Sequence, residues 1–562
     1  MNDIYGPLPE GDYVRLLYCE PVGESNDLIC ELRARSLQEC QQKYFAVSYA
    51  WEDPAPVDRL SLRDGRSLPL GKTLAALFDW LRKLGKAFNV WVDALCIDQQ
   101  NVAERERQVA LMRQVYSSAT IVLVWLGPSD AGSEAAFRVM NSRRNFRWPA
   151  DWDNAGGAAL ADLDVVLLFL ARPWFQRTWV IQEFTLNCEL GFMCGGDTVE
   201  YHVFHNALCA IWAYFEGLGD YPREHPAVRG LWNSTRMLFV RRQYQACGKV
   251  DFERLLEAAH HCEASDPRDM VFGFFGIADR NLPLPRPNYT ASIEDVYLKT
   301  AEAVLLSDST SLDLLALAGL ARRTLPSALP TWVPDPRNRC FDEPIAARSR
   351  GRWTAGSHIP ATVAKAGSRH LELCVQPIDV VAATCPPIDS RSVAQQKAAI
   401  GAVSALRPML QGGTSASDEE WFDLLATNLI MGLDINDERA GPEYRGHFLE
   451  YVRWLESSTS EEDLCQIKHN RFYRTLGPRM DGWQFCFTRR GRLCMAPPEV
   501  RAGDEVCYVL GCRLPLVVRS TGRVHVHGEK ALPEFVLVSW CFAHGLMYGE
   551  GFWQPARYIF LR

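Results

Sequence analysis

Three short runs hold the residues whose types and spacing suit chemistry. Arg177-Thr-Trp-Val-Ile-Gln-Glu183 sets an indole and a carboxylate four positions apart. On a helix that is about one turn, so Trp179 and Glu183 would share a face. Such a pair offers a surface on which a flat ring stacks and a fixed charge that stabilises a cation developing beside it. The same residues also fit a purely structural role, with Trp179 packed in the core and Glu183 paired with Arg177 or Arg172. Ser48, Tyr49 and Trp51 close the run YFAVSYAW, where a hydroxyl, a phenol and an indole either line a nucleotide pocket or pack. Asp93, Cys96 and Asp98 follow VWVDAL: Asp93 is placed to hold a ribose or to order its loop, and Asp98 to cap the next helix together with Asn101. Cys96 reads as a buried structural thiol, because no histidine lies near it in sequence to activate it.

The elements that must position these residues follow from the surrounding pattern. YFAVSYAW predicts a strand running into a loop at Trp51–Pro54, since β-branched and aromatic residues fill it and Pro54 ends it. Asp64-Gly65 marks a turn within a small hairpin over 60–70. TLAALFDWLRKLG (73–85) predicts a helix that stops at Gly85. VWVDAL (90–95) and TIVLVWLG (120–127) are continuous apolar strands flanking a helix on which Val109, Met112, Tyr116 and Ala119 fall on one face. Asn101 followed by Glu104 has the form of a capping box at its start. Glu104 and Glu106, beside Arg105 and Arg107, suit the positive helix end and read as structural. Strand-helix-strand order with continuous apolar strands predicts a parallel sheet covered by helices, with ligands at the carboxyl ends of its strands. The loops after Val47 and Val92 would lie there.

Composition excludes several classes of function. The 562 residues are 48% hydrophobic and 11% aromatic, enough for several cores. With 60 basic against 68 acidic residues and a net charge of −8, no general excess of cations exists to bind a phosphate backbone. Nucleic-acid binding is not expected, although RGHFLEYVRW and RSRGRW are locally basic. The first residues, MNDIYGPLPEGDYVRLLYCE, lack a basic start and an apolar run, so no signal peptide is read and a cytoplasmic location is expected. The apolar runs IVLVWLG and VVLLFLA are far shorter than the ~20 residues of a membrane span. Eighteen cysteines without a signal peptide read as reduced buried thiols, and none stands at zinc-ligand spacing with histidines, so no metal is expected. Gly195-Gly196 is a turn; no phosphate-binding glycine motif occurs in a strand-helix context.

FAVSYAWED, VDALCIDQQNVAERERQVALMRQVYSSATIVLVWLG and RPWFQRTWVIQE together resemble the three signature blocks of the HET (heterokaryon incompatibility) domain of fungal proteins, over roughly residues 44–186. DPRDMVFGFFGIA, LPTWVPD, RRGRLCMAPPEVRAGDEVCYVLG and FAHGLMYGE resemble segments of the long members of that family. The resemblance implies a role in allorecognition-triggered cell death, self-association, and an allelic or non-allelic incompatibility partner. HET domains are in turn similar to TIR domains, which are flavodoxin-like, and some of which hydrolyse NAD with a glutamate four residues after a tryptophan. By that analogy Glu183 is the catalytic carboxylate, Ser48, Tyr49, Trp51, Asp93, Asp98, Arg177 and Trp179 surround the nucleotide, and NAD is a substrate, with no bound cofactor. The alternative is a TIR-like module of the same fold that recruits partners without chemistry.

The expected organisation is a lead-in hairpin over 1–43, an α/β domain of TIR or flavodoxin type over 44–200 and a mainly helical region over 201–337. Linker and helical segments follow over 338–470. A small β domain over 471–562, built from short alternating strands with glycine turns, is barrel-like.

Overall fold

In the computed structural model the apolar runs of the first half become the middle of a seven-stranded sheet. The structure describes residues 4–22, 27–51, 55–145, 157–214, 225–307, 311–324, 326–338, 353–356, 359–367, 369–410, 417–434, 438–550 and 555–562. By its internal contacts the chain divides into two units, residues 1–281 with 285–293, and residues 282–284 with 294–562.

The strands of the first unit are β1 (Tyr13–Val22), β2 (Asp27–Ser36), β3 (Phe45–Tyr49), β4 (Asp58–Ser61), β5 (Ser67–Leu70), β6 (Phe88–Trp91), β7 (Val122–Trp125), β8 (Leu190–Cys194) and β9 (Asp197–Glu200). They lie in the order β2-β1-β6-β3-β7-β8-β9, with β4 and β5 forming a separate hairpin. Strand β3 runs parallel to β6 and to β7, and β7 runs parallel to β8. Four parallel strands are thus edged by two antiparallel hairpins, β1–β2 and β8–β9. Val90, Trp91, Val122, Val124 and Trp125 are all at most 1% exposed, as expected of parallel strands with helices on their faces. The Asp64-Gly65 turn falls between β4 and β5, with Gly65 at φ +83°. Gly195 turns β8 into β9 at φ +56°, and a Cβ there would come within 2.6 Å of Ser129. Only glycine fits that turn.

The parallel strands are joined by helices Lys72–Arg82, Val102–Ser118, Ala131–Ser142, Gly157–Phe169 and Val180–Leu186, and helices Tyr201–Tyr214 and Pro226–Cys247 follow. Asn101 caps Val102–Ser118 by accepting the Glu104 backbone N–H at 3.1 Å. The other half of the expected capping box is replaced. The Glu104 carboxylate accepts the Asp98 backbone N–H at 2.8 Å and pairs with Arg15 of β1, both side chains being 4% exposed. A guanidinium offers two charge-assisted bonds where the cap's own N–H offers one neutral bond. The pair also lowers the Glu104 pKa, against the opposing effect of burial. It fastens the N-terminal hairpin to the helix that carries the second sequence block, and Arg15 adds a bond to the Cys96 carbonyl at 3.3 Å.

The second unit contains β10 (Val363–Ala366), β11 (His370–Pro387), β12 (Gln484–Thr488), β13 (Leu493–Ala496), β14 (Glu505–Val509), β15 (Leu516–His527), β16 (Lys530–Trp540), β17 (Phe542–Ala543) and β18 (Arg557–Leu561). The eighteen-residue β11 pairs with β10, β12, β14 and β18 at different points along its length. Pairings β14–β15, β15–β16, β16–β18, β18–β11 and β11–β14 return to their starting strand. Ile378, Val381, Val506, Tyr508, Val517 and Val538 form a buried cluster of this unit. β11 lies within the region expected to hold linker and helical segments. Its run LELCVQPIDVVAATC is apolar but broken by Pro377 and by bulges, which hides its alternation.

Residues 411–416 of the expected loop QGGTSASDEE lie outside the described residues, as do Glu52–Pro54 after Trp51 and most of RSRGRW. The end of QGGTSASDEE is instead a helix start, where Ser417 and Glu420 form a capping box for Asp418–Leu429. RGHFLEYVRW lies in helix Glu443–Ser457, whose Phe448, Tyr451 and Trp454 are buried and whose Arg445 pairs with Glu419 and Asp423. No helix among the described residues is long and apolar enough to cross a membrane.

The Arg15–Glu104 pair gives a direct test. Glu104→Ala leaves Arg15 buried without its carboxylate and should lower the unfolding free energy by about 3–5 kcal/mol. An Arg15→Met/Glu104→Leu double variant should recover most of that loss, read by denaturant unfolding of both variants beside wild type.

Candidate functional site

Helix Val180–Leu186 brings the third sequence block against the end of β3. Every residue of the helix is buried, Glu183 to 1% exposure. Its carboxylate accepts the Ser48 hydroxyl, and Ser48 accepts the Trp174 indole N–H at 2.8 Å. Trp174, Ser48 and Glu183 thus form a directed chain of donors ending on a carboxyl group, an arrangement in which each bond polarises the next. The Tyr116 hydroxyl lies against both the Val47 carbonyl, at 3.4 Å, and Glu183. Burial raises the Glu183 pKa to about 7, opposed by the Arg177 charge and by the Ser48 bond.

A second group adjoins the first. Arg177 donates to the backbone carbonyl of Tyr49. Tyr49 and Trp51 both bond the Asp93 carboxylate, the Trp51 indole N–H at 3.0 Å. Burial raises the pKa of Asp93 as well, and Arg177 opposes it. One guanidinium therefore opposes the desolvation of two carboxylates, Glu183 on its helix and Asp93 just past the end of β6. Asp93 also accepts the Ala94 backbone N–H at 2.7 Å, in the first turn of the short helix Asp93–Cys96. Trp51 is 45% exposed, with its indole N–H fixed and part of its ring open to solvent.

Ser48, Tyr49, Trp51, Asp93, Arg177 and Glu183 thus gather at the carboxyl ends of β3 and β6. Trp179 and Asp98 do not join them. Trp179 lies one turn before Glu183, its carbonyl accepting the Glu183 N–H at 3.2 Å. Its indole is directed elsewhere and bonds Asp269. Asp269 accepts the Tyr289 hydroxyl at 2.5 Å, and burial raises its pKa to about 6. Asp98 holds the turn before helix Val102–Ser118, accepting the Gln100 N–H at 3.1 Å. Cys96 is fully buried, and burial pushes its thiol up to about 12, which leaves it protonated and inert.

Trp174 is not named from the sequence, and Tyr116 only as a member of an apolar helix face. Both lay inside the recognised blocks, but an indole and a phenol within apolar runs carry no local sign of a polar role. Arg241 gave less sign still. This arginine, 1% exposed in helix Pro226–Cys247, donates to the carbonyls of Phe184 at 2.5 Å, Asn187 at 2.6 Å and Cys188 at 2.8 Å. It satisfies the C-terminal carbonyls of the Glu183 helix, whose ends have no partners within the helix. Its guanidinium also stands over the Tyr201 ring at 4.5 Å. Asn187 ties the same helix end to the carbonyls of Tyr116 and Ala119, at 2.9 and 2.7 Å.

Residues 44–183 match the family described as heterokaryon incompatibility protein (HET). The HET match thus ends on Glu183 itself, while Asn187, Arg241 and Asp269 lie beyond it. The whole chain is similar to "Heterokaryon incompatibility protein 6, OR allele" of Neurospora crassa. The two are 24% identical over 655 aligned positions that cover 96% of this chain and 94% of that protein. No solved structure matches the chain.

The carboxyl of Glu183, raised from 4.5 to about 7 by folding, binds its proton more tightly folded than unfolded. Its contribution to stability is therefore full below about pH 4.5 and is lost as pH rises to about 7. Glu183→Gln removes that loss. Thermal or denaturant unfolding across pH 4.5–8 should show the variant gaining on wild type with rising pH, by roughly 2–4 kcal/mol at the top of the range. Arg241→Lys replaces a three-carbonyl fork by a point charge and should cost about 2–4 kcal/mol. Hydrogen exchange should then rise first in Val180–Leu186.

Proposed function

We propose that this chain is an incompatibility protein of the HET type whose N-terminal α/β unit is a TIR-like cell-death effector that hydrolyses the N-glycosidic bond of NAD. The observation that carries the reading is Glu183, a buried carboxyl of pKa about 7 at the carboxyl end of a parallel sheet. It is bonded to Ser48 at the end of β3, and Arg177 of its own block and Asp93 of the second block lie close enough to act on its charge. The order of the parallel strands supports it too: numbered by sequence they run second, first, third, fourth, the doubly wound order of flavodoxin-like sheets, in which ligands sit at the first strand's end. The match to HET over 44–183 and the similarity to the Neurospora protein support the allorecognition role.

In this reading the C1′–N bond of the nicotinamide riboside breaks heterolytically and the electron pair leaves with nicotinamide, which departs neutral. The ionised Glu183 stabilises the oxocarbenium-like ribosyl cation. Water then adds to C1′ and loses a proton to the carboxylate or to solvent, giving ADP-ribose. Trp51, exposed and held through its indole N–H by Asp93, takes the stacking role that Trp179, bonded to Asp269, does not fill. Association of several copies completes the nucleotide cleft and permits hydrolysis.

The burial of Glu183 to 1% exposure, with one oxygen held by Ser48, favours a second reading, a recruitment module in which the same cluster is only structural. NAD consumption by concentrated purified chain and by expressing cells, wild type beside Glu183→Gln, separates the two. The enzyme reading expects turnover that rises more than linearly with protein concentration and increases as pH passes through about 7. It also expects turnover to be lost in Glu183→Gln, whose fold persists. Absence of NAD loss in wild type, with toxicity surviving the substitution, leaves the recruitment reading.

A further inference from the structure

Strands β11, β15 and β16 of the second unit bring together three side chains that no short motif unites: His370, His525 and Glu534. Each offers one ligand atom, and these atoms all lie within 4.8 Å of one another. His370 Nε2 is 2.9 Å from Glu534 Oε2. The two imidazoles stack face to face, their centroids 3.8 Å and their planes 18° apart. Glu534 is 5% exposed, and its second oxygen, Oε1, has no hydrogen-bond partner among the described residues. A carboxylate buried with one oxygen unpaired is a costly arrangement that a ligand at that oxygen would relieve.

The pairing of the strands makes the group a property of the sheet. His525 lies opposite Leu532 on β16, Glu534 opposite Phe560 on β18, and Leu371, next to His370, opposite Leu561 on β18. The Phe560 ring stands edge-on to both imidazoles, at 6.4 and 5.2 Å, and forms an apolar wall. Lys530 is drawn away by Glu372, at 2.6 Å, so that it does not occupy the carboxylate of Glu534.

We propose that His370, His525 and Glu534 bind one first-row divalent cation, with zinc as the preferred ion and a fourth position left to water. Two imidazoles and one carboxylate form a borderline set that suits zinc and its neighbours and does not suit calcium or magnesium, which take oxygen. Ligands at ~2 Å from a tetrahedral ion stand ~3.3 Å apart. The group reaches that spacing by small side-chain rotations, and His525, half-exposed near the end of its strand, has the room to move. A bound ion links β15 and β16 to β11 directly.

The test is metal titration of the purified full chain after removal of metal with a chelator. Zinc should bind at one equivalent per chain and raise the melting temperature, and cobalt(II) should show the visible absorption of a four-coordinate ion. His525→Gln, at a half-exposed position, should keep the fold by circular dichroism, weaken zinc binding more than ~10-fold and abolish the thermal shift. His469→Gln, at an exposed position elsewhere in the unit, should do neither. Glu534→Gln should behave as His525→Gln where it folds. No stoichiometric binding in wild type, or binding undiminished in a His370→Gln/His525→Gln double variant, overturns the proposal.

Discussion

The first unit depends on burying the carboxyl group of Glu183. A carboxylate taken out of water costs several kcal/mol unless it is bonded, neutralised by a proton or set near a cation. All three devices are present: Ser48 donates to it, its pKa is raised to about 7, and Arg177 lies close enough to oppose that rise. Each device recruits a different part of the chain. Ser48 must sit near the end of β3, Trp174 must support Ser48 from the turn before the helix, and Arg177 must reach the Tyr49 carbonyl. The three blocks of the sequence therefore correspond to one polar cluster that has to be complete to be tolerated in a core.

That cluster is positioned from outside the matched stretch. The HET match closes at Glu183, yet the helix carrying this residue is held at its far end by Arg241, and the indole of Trp179 is drawn away by Asp269. Helix Pro226–Cys247 and the turn at Asp266–Asp269 thus belong to the same physical assembly as the sheet, consistent with a first unit that extends to residue 293. A fragment cut after the match would stop inside helix Val180–Leu186, losing the helix end that Arg241 holds, and would leave the Trp179 indole N–H without Asp269. The site and the helical region therefore stand or fall together.

Two carboxyl groups of the first unit have pKa values raised into the range of about 6 to 7 by burial: Glu183 within the short helix and Asp269 bonded by Trp179 at its N-cap. Trp179 and Glu183 lie one turn apart on that helix but serve different neighbours. The helix is a bridge between two polar pockets, and its two chemically conspicuous residues are divided between them.

Several features were legible in the sequence because they rest on local physics. Apolar runs bounded by Pro and Gly gave β3, β6 and β7, although VWVDAL leaves its strand at Trp91 and turns into the short helix Asp93–Cys96; Asp64-Gly65 gave the turn between β4 and β5, and Asn101 gave a helix cap, since turn and cap preferences are decided by the backbone of a few residues. The block structure also located Ser48, Asp93, Arg177 and Glu183. What the sequence could not decide is which groups meet across long separations. Glu104 looked like the second half of a capping box and instead pairs with Arg15, 89 positions away. Trp179 looked like Glu183's companion and bonds Asp269, Arg241 gave no sign of its role, and β11 was hidden by Pro377 and by changes of partner strand. Side-chain hydrogen bonds and ion pairs depend on position to within about an ångström, and only the packing of the whole chain fixes positions that closely. Local pattern thus determined which elements form and which residues stand at their ends, while tertiary structure alone decided which polar groups are buried together.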